Sequence, residues 1–266
     1  MGAVKGAGGV MSDKKRILAI HAHPDDSEIF AGGTLALLAQ RGHALTLVTM
    51  APGDCGTDEY DAEEISRIRR EEARQAAVLI GAEYICAEFR DLAIFNDDAS
   101  RRRVVEILRR VRPDIILTSA PVDYLCDHEG TSVLVRDACL CASAPNYATR
   151  AEKPAAALKA IPHLYLMDPA GGTDRDGNTV HPQFVVDVES VFQTKWDMLA
   201  CHASQRNWLI RQHGMDDYME TMRAWSSARG KLAGLVYGEG FRQYRGHPYP
   251  QTPLLQELLG TEVVRL

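Results

Sequence analysis

The chain has 266 residues, of which 45% are apolar and 25% charged, with 36 acidic side chains against 30 basic ones and a formal charge of −6. This is the balance of a globular protein: it excludes a disordered, collagen-like or coiled-coil chain, and it lacks the basic footprint of a nucleic-acid binder. No apolar run approaches the ~20 residues of a membrane-spanning helix, and six scattered cysteines without a CxxC pair fit reduced thiols in a cytoplasmic protein.

Residues 1–13, rich in glycine, are expected to be a mobile tail with Met11 as an alternative start, and residues 14–266 one domain. Arg16 to Ile20 is a short apolar run of the buried-strand kind, and helical spacing follows from Glu28 to Gln40, with Gly42 as its stop. Ala44 to Met50 is the next strand. A loop with Pro52, Gly53 and Gly56 leads into a long helix from about Ala62 to Ile80, ended by Gly81. Tyr84 to Cys86 is a weaker strand, Arg101 to Val111 a helix cut off before Pro113, and Asp114 to Thr118 another strand. A further helix is expected from about Glu129 to Cys141. Beyond an Ala- and Pro-rich stretch to Pro162, His163–Met167 and Phe184–Val188 are strand candidates, and the chain then reads as largely helical to Ala233. Arginine-rich stretches (Arg67, Arg69, Arg70; Arg101, Arg102, Arg103, Arg109, Arg110) are expected to be mostly solvated helix faces. The alternation of strand and helix predicts an α/β fold: one Rossmann-like domain with a mostly parallel sheet flanked by helices and a helical C-terminal part.

Ligands of such sheets bind beyond the carboxyl ends of the strands. Three loops lie there: HAHPDDSE at 21–28, APGDCGT at 51–57 and SAPVDYLCDHE at 119–129. A dinucleotide site is excluded, because Asp25, Asp26 and Glu28 stand where a pyrophosphate would approach and the GAGG of residues 6–9 precedes the strand. Imidazole and carboxylate suit zinc, whose catalytic sites take three protein ligands and keep one position for water. His23 and Asp26 flank the stiff Pro24, His128 is the histidine of the third loop, and Asp25 is left over as a general base. A structural alternative stays open here, since a His-x-His at a strand end is more often packed than ligating and an Asp pair is commonly a helix N-cap.

The same residues resemble the PIG-L/LmbE-like de-N-acetylase family. His23-Pro-Asp-Asp26, with Glu28 and then Gly32-Gly33, matches its opening signature, and Pro52 to Thr57 is similar to its G-E-x-G-T loop. Arg69-Arg-Glu-Glu-Ala73 is similar to its R-x-x-E-A helix, Asp127-His128 to the end of its H-P-D-H motif, and Ala200 to Gln205 to a late block. The resemblance spans residues 16–141 closely and the C-terminal third more loosely. It implies a zinc-dependent hydrolase that removes an acyl group, typically acetyl, from an N-acetylated sugar or glycoconjugate. His23, Asp26 and His128 are then the zinc ligands and Asp25 the base; iron or cobalt suits the same donors.

The chain departs from the family at Leu125, where a histidine associated with the tetrahedral intermediate or the leaving amine is expected. Tyr124 and His202 are the candidates to replace it, against alternatives in which Tyr124 packs and His202 caps a helix. Asp127 is expected to orient a ligand imidazole, and His21 to be structural. Asp54, Arg69 and Asp91 are candidates for substrate binding, although Arg69 has an alternative partner in Glu71 or Glu72 and Asp91 could close a turn. Cys126 is expected to be a small buried hydrophobe rather than a ligand. Leu125 also keeps a second function in view, a metallohydrolase on a non-sugar amide or ester, while Asp25 argues against a non-catalytic binding module. The expected partner is a small N-acylated molecule, with no nucleic acid and no membrane span, and the family is compatible with a homo-oligomer.

Overall fold

The computed structural model describes residues 14–213 and 217–266, so the expected tail and Met11 lie outside the described residues. β1 (Arg16–His21), β2 (Ala44–Thr49), β3 (Glu83–Cys86), β4 (Ile115–Thr118) and β5 (His163–Met167) are parallel neighbours in the order β3-β2-β1-β4-β5. β6 (Phe184–Asp187), β7 (Gly238–Gln243) and β8 (Val263–Arg265) extend the same sheet, with β7 antiparallel between β5 and β6, and β8 at the edge. The sheet is mostly parallel and flanked by helices, as the alternation predicts. Strand order reverses between β1 and β4, so the loops after these two strands open side by side at a topological switch point.

The strands are buried on both faces, which is why they read as continuous apolar runs. Ile17 and Ala19 of β1 pack towards α1 (Asp26–Gln40), α2 (Ala62–Leu79) and the C-terminal elements. Leu18 and Ile20 face the other way, onto α3 (Asp98–Val111) and α4 (Cys126–Ala142). α5 (Phe192–Ala200), α6 (Ala203–His213), α7 (Asp217–Leu232) and α8 (Leu254–Leu259) complete the chain. Among the described residues no helix is long and apolar enough to cross a membrane.

Several elements differ from expectation for identifiable reasons. α3 starts at Asp98 rather than Arg101, because Asp97 accepts the Ser100 N–H at 2.7 Å as its cap. α4 starts at Cys126, three residues ahead of Glu129, with Leu125 in the cap position and no side-chain cap bond. His128 therefore projects from a helical turn and not from a loop. β7 reads GEGFRQ, with no apolar alternation; its Gly238 and Gly240 are spaces where a Cβ would collide with Val185 and Asp168. Arg67 is exposed, as expected, but Arg69 and Arg109 are buried. Arg109 donates to the carbonyls of Ala142 at 3.1 Å and Ala144 at 2.8 Å, tying off the end of α4.

A buried ion pair binds the C-terminal third to the helix that opens the first loop. Lys195 Nζ donates to Glu239 Oε1 at 2.7 Å and to the Ile29 carbonyl at 2.8 Å, while Glu239 accepts the N–H groups of Gly33 and Thr34, each at 2.8 Å. The Gly32-Gly33 pair in α1 makes this approach possible, since a Cβ on Gly33 would collide with Val188. Removing one partner strands the other charge in the interior. Glu239→Gln and Lys195→Met are each expected to lose about 3–5 kcal/mol of unfolding free energy, and the double variant less than their sum, as read from urea unfolding curves.

Candidate active site

Asp26, in the first turn of α1, is the meeting point of three histidines. Its Oδ2 accepts the His23 backbone N–H at 2.8 Å and lies 2.7 Å from His21 Nδ1, while its Oδ1 lies 3.3 Å from His128 Nε2. His23 Nδ1 is 3.6 Å from the same carboxylate, and its Nε2 is hydrogen-bonded to Asp127 Oδ2 at 3.0 Å. His128 Nδ1 faces Asp123 Oδ2 at 3.2 Å, off the hydrogen-bonding angle. Burial alone would keep these imidazoles neutral. Bonds to Asp127 and Asp26 instead raise His23 to about 9, and the charge of Asp26 with the contact to Asp123 raises His128 to about 10. Burial likewise opposes a charge on Asp26, yet His21 and His128 hold it well below the usual carboxylate range. This is a nest of carboxylates that demands cations, whether protons or a metal.

The donor atoms of His21, Asp26 and His128 lie within 4.8 Å of one another, a tighter group than the expected His23, Asp26 and His128. Access distinguishes the two sets. His23, Asp26 and His128 line a cavity of about 690 Å³, whereas His21 is wholly buried behind it and burial lowers its pKa. From there it is hydrogen-bonded to Asp26 at 2.7 Å.

Asp25 stands at the N-cap of α1 but does not cap it. Its φ of 104° is a left-handed conformation, costly for a residue with a side chain, and no cap bond forms. The carboxylate lies instead in the cavity wall, where Tyr218 Oη donates to its Oδ2 at 2.6 Å and Arg69 Nη2 lies 3.9 Å away. Burial pushes it up to about 6 against the pull of the Arg69 charge, close to neutral pH, where a general base works best.

Arg69 pairs with neither Glu71 nor Glu72. Its guanidinium donates to the carbonyls of Pro24 at 2.9 Å and Gly53 at 3.4 Å, bridging the first and second loops. Glu72 instead accepts from Ser204. Asp91 lines the cavity and accepts the N–H groups of Gly53 at 3.0 Å and Cys55 at 2.9 Å; Asp54 accepts the Asp91 N–H at 2.8 Å and is not among the lining residues. Asp127 binds the Leu92 N–H at 2.6 Å as well as His23. Tyr124 and Leu125 line the cavity, with Tyr124 71% exposed and its ring edge-on to His128 at 5.6 Å. His202 is fully buried 3.5 Å from Glu28 and does not line the cavity. Cys126 is exposed, which corrects its expected burial: the helix begins there and turns it outwards.

Sequence reasoning missed Asp123, Tyr218 and the tryptophans Trp208 and Trp225 of the cavity wall. Asp123 carried a signal, being a carboxylate five residues ahead of His128. Tyr218 and the tryptophans carried none, because they belong to helices remote in sequence and marked by no motif.

An α/β sheet with a His–carboxylate cluster at its switch point is the arrangement of an enzyme centre, and similarity to known proteins narrows the class. Residues 18–139 match the PIG-L family model, described as GlcNAc-PI de-N-acetylase. The diacetylchitobiose deacetylase of Thermococcus kodakarensis is 27% identical over 244 residues, covering 87% of this chain and 84% of that protein. The 4-oxalmesaconate hydratase of Pseudomonas putida is 28% identical over 202 residues, covering 73% of this chain and 75% of that protein. Among solved structures, the N,N'-diacetylchitobiose deacetylase of Pyrococcus horikoshii is similar with a TM-score of 0.75 and 27% identity, covering 91% of this chain and 89% of that one. The family match is carried by residues 18–139, and the fold as a whole is shared with the Pyrococcus horikoshii deacetylase.

Gly53 has a φ of 81°, and a Cβ there would collide with the Arg69 guanidinium. Gly53→Ala is expected to lose about 1–3 kcal/mol and to unseat Arg69, seen as a lower thermal midpoint.

Proposed function

We propose that the protein is a zinc-dependent N-deacylase that hydrolyses the amide of an N-acetylated sugar or glycoconjugate, releasing acetate and a free amine. The observation that carries this reading is the pairing of His23 and His128. On the cavity wall each aims one nitrogen at Asp26 and sets the other against a separate carboxylate, Asp127 or Asp123. Carboxylates behind imidazoles in this way orient metal ligands and raise their basicity. His23, Asp26 and His128 would hold the ion, and a bound cation would take the place of the protons that the carboxylates keep on the two imidazoles.

Zinc at these donors supplies Lewis acidity, drawing the pKa of a water from ~15.7 towards ~7 and polarising an amide carbonyl. The remaining work belongs to the chain. Tyr218 engages Oδ2 of Asp25, leaving Oδ1 to take a proton from the attacking water. Protonated Asp25 is then the donor nearest to hand for the leaving amine. Tyr124, on the cavity wall beside His128, is the hydroxyl available to the carbonyl oxygen as charge develops. His202 reaches Asp25 only through its charge.

A second reading is the addition of water to an activated double bond. Leu125 favours it, because hydration has no leaving amine to protonate: the base takes a proton from water, the oxygen adds to one carbon, and protonated Asp25 returns the proton to the other; the Pseudomonas putida relative is a hydratase. Metal content, acetate release and a chelator separate the readings. About one zinc per chain with chelator-sensitive acetate release from N-acetylated sugars supports the deacylase; zinc without acetate release favours the hydratase, and a chain that cannot be loaded with zinc overturns both.

Asp25→Asn is expected to lower kcat by ~10²–10⁴ while zinc stays bound; loss of zinc as well would mean that Asp25, not Asp26, is the ligand. Activity requires ionised Asp25, so the rate should fall as pH drops through about 6. The Tyr218 bond favours the ionised form, so Tyr218→Phe should move this acid limb of the kcat/KM profile to higher pH.

A further inference from the structure

We infer that the substrate carries an uncharged aromatic or branched apolar group close to its N-acyl linkage, seated on a wall of the cavity built by the C-terminal helices. The inference rests on the deacylase reading and adds the class of molecule on which that chemistry acts.

A polar cluster and an apolar surface adjoin in the cavity. His23, Asp25, Asp26, His128, Arg69 and Asp91 gather at the end where the first loop meets α4. An apolar surface adjoins that end: Phe30 of α1, edge-on to His128 at 6.4 Å, stacks on Trp225 at 6.1 Å and 10°, and Trp208, Leu209 and Met222 line the same cavity. A volume of about 690 Å³ suits a ligand of drug-like size rather than an acetamido group alone.

The polar groups near the chemistry are already engaged. Asp91 holds two backbone N–H groups of the second loop, and Asp127 holds Leu92 and His23. Arg69 is the one arginine or lysine lining the cavity among the described residues, and it is committed to Pro24, Gly53 and Asp25. The remaining polar groups of the lining, Gln205, Asp217, Thr221 and the Tyr124 hydroxyl, are few beside its apolar side chains.

Leu92 is an independent pointer. It has a φ of 61°, a conformation that L side chains adopt at a cost, yet it is 58% exposed at the cavity mouth. Its N–H bond to Asp127 at 2.6 Å holds the backbone in that conformation and leaves the apolar side chain free at the mouth, with the Tyr124 ring as a second exposed face and the Tyr124 hydroxyl left to the chemistry.

The test compares N-acetylglucosamine with its 4-nitrophenyl β-glycoside and with N-hexanoylglucosamine, using the zinc-loaded protein. The first analogue places the apolar group on the amine side and the second on the acyl side. At least one should exceed the parent sugar tenfold or more in kcat/KM. Trp208→Ala should reduce that preference severalfold, and so should Leu92→Asn, which keeps a residue tolerant of the left-handed conformation and so remains folded. Equal kcat/KM for all three compounds overturns the inference and leaves the deacylase standing. If none is hydrolysed, calorimetric binding decides: tighter binding of an apolar analogue, weakened in both variants, sustains the inference while the deacylase reading fails. Equal binding, or none, overturns it.

Discussion

A carboxylate out of water persists only where donors surround it, and Asp26 is such a group. Its donors come from three directions: His21 from the end of β1, the His23 backbone from the turn between, and His128 from the first turn of α4. To satisfy one buried charge, the chain must bring together the two strand ends on either side of the switch point. The further carboxylates Asp123 and Asp127 then fix the imidazoles from outside. The cluster is thus built as two shells of alternating charge, and its orientation is a result of neutralisation more than of shape.

The second half of the cavity depends on a different bond. α5 and β7 are fastened to α1 by Lys195 and Glu239, and the packing of α7 against α5 and α6 then carries Tyr218 to Asp25 and Trp225 onto Phe30. The N-terminal α/β portion supplies reactive groups, while the C-terminal helices supply a surface. Charge organises the first and apolar area the second.

Much of the first half was legible in the sequence because its determinants are local. A strand followed by HPDD and a helix fixes where His23, Asp25 and Asp26 stand relative to the sheet, and the alternation of apolar runs fixes the parallel order. The second half was less legible. β7 escaped because its glycines are there for what they avoid touching, and Arg69 because its partners are carbonyls brought in by loops rather than acids on its own helix. The role of His21 against His23 could not be read from spacing: both sit near Asp26, and only the position of the cavity separates the residue behind the carboxylate from the one in front.

Asp127 joins the imidazole of His23 to the backbone N–H groups of Leu92 and Ile94. Its carboxylate ties the geometry of the reactive centre to the path of the chain at the entrance, so neither can move without the other. The side chains of Leu92 and the exposed Phe95 take no part in that tie. The entrance can therefore be re-lined by replacing side chains on a fixed backbone, which gives selectivity a route to drift, or to be engineered, while the reactive centre stays still.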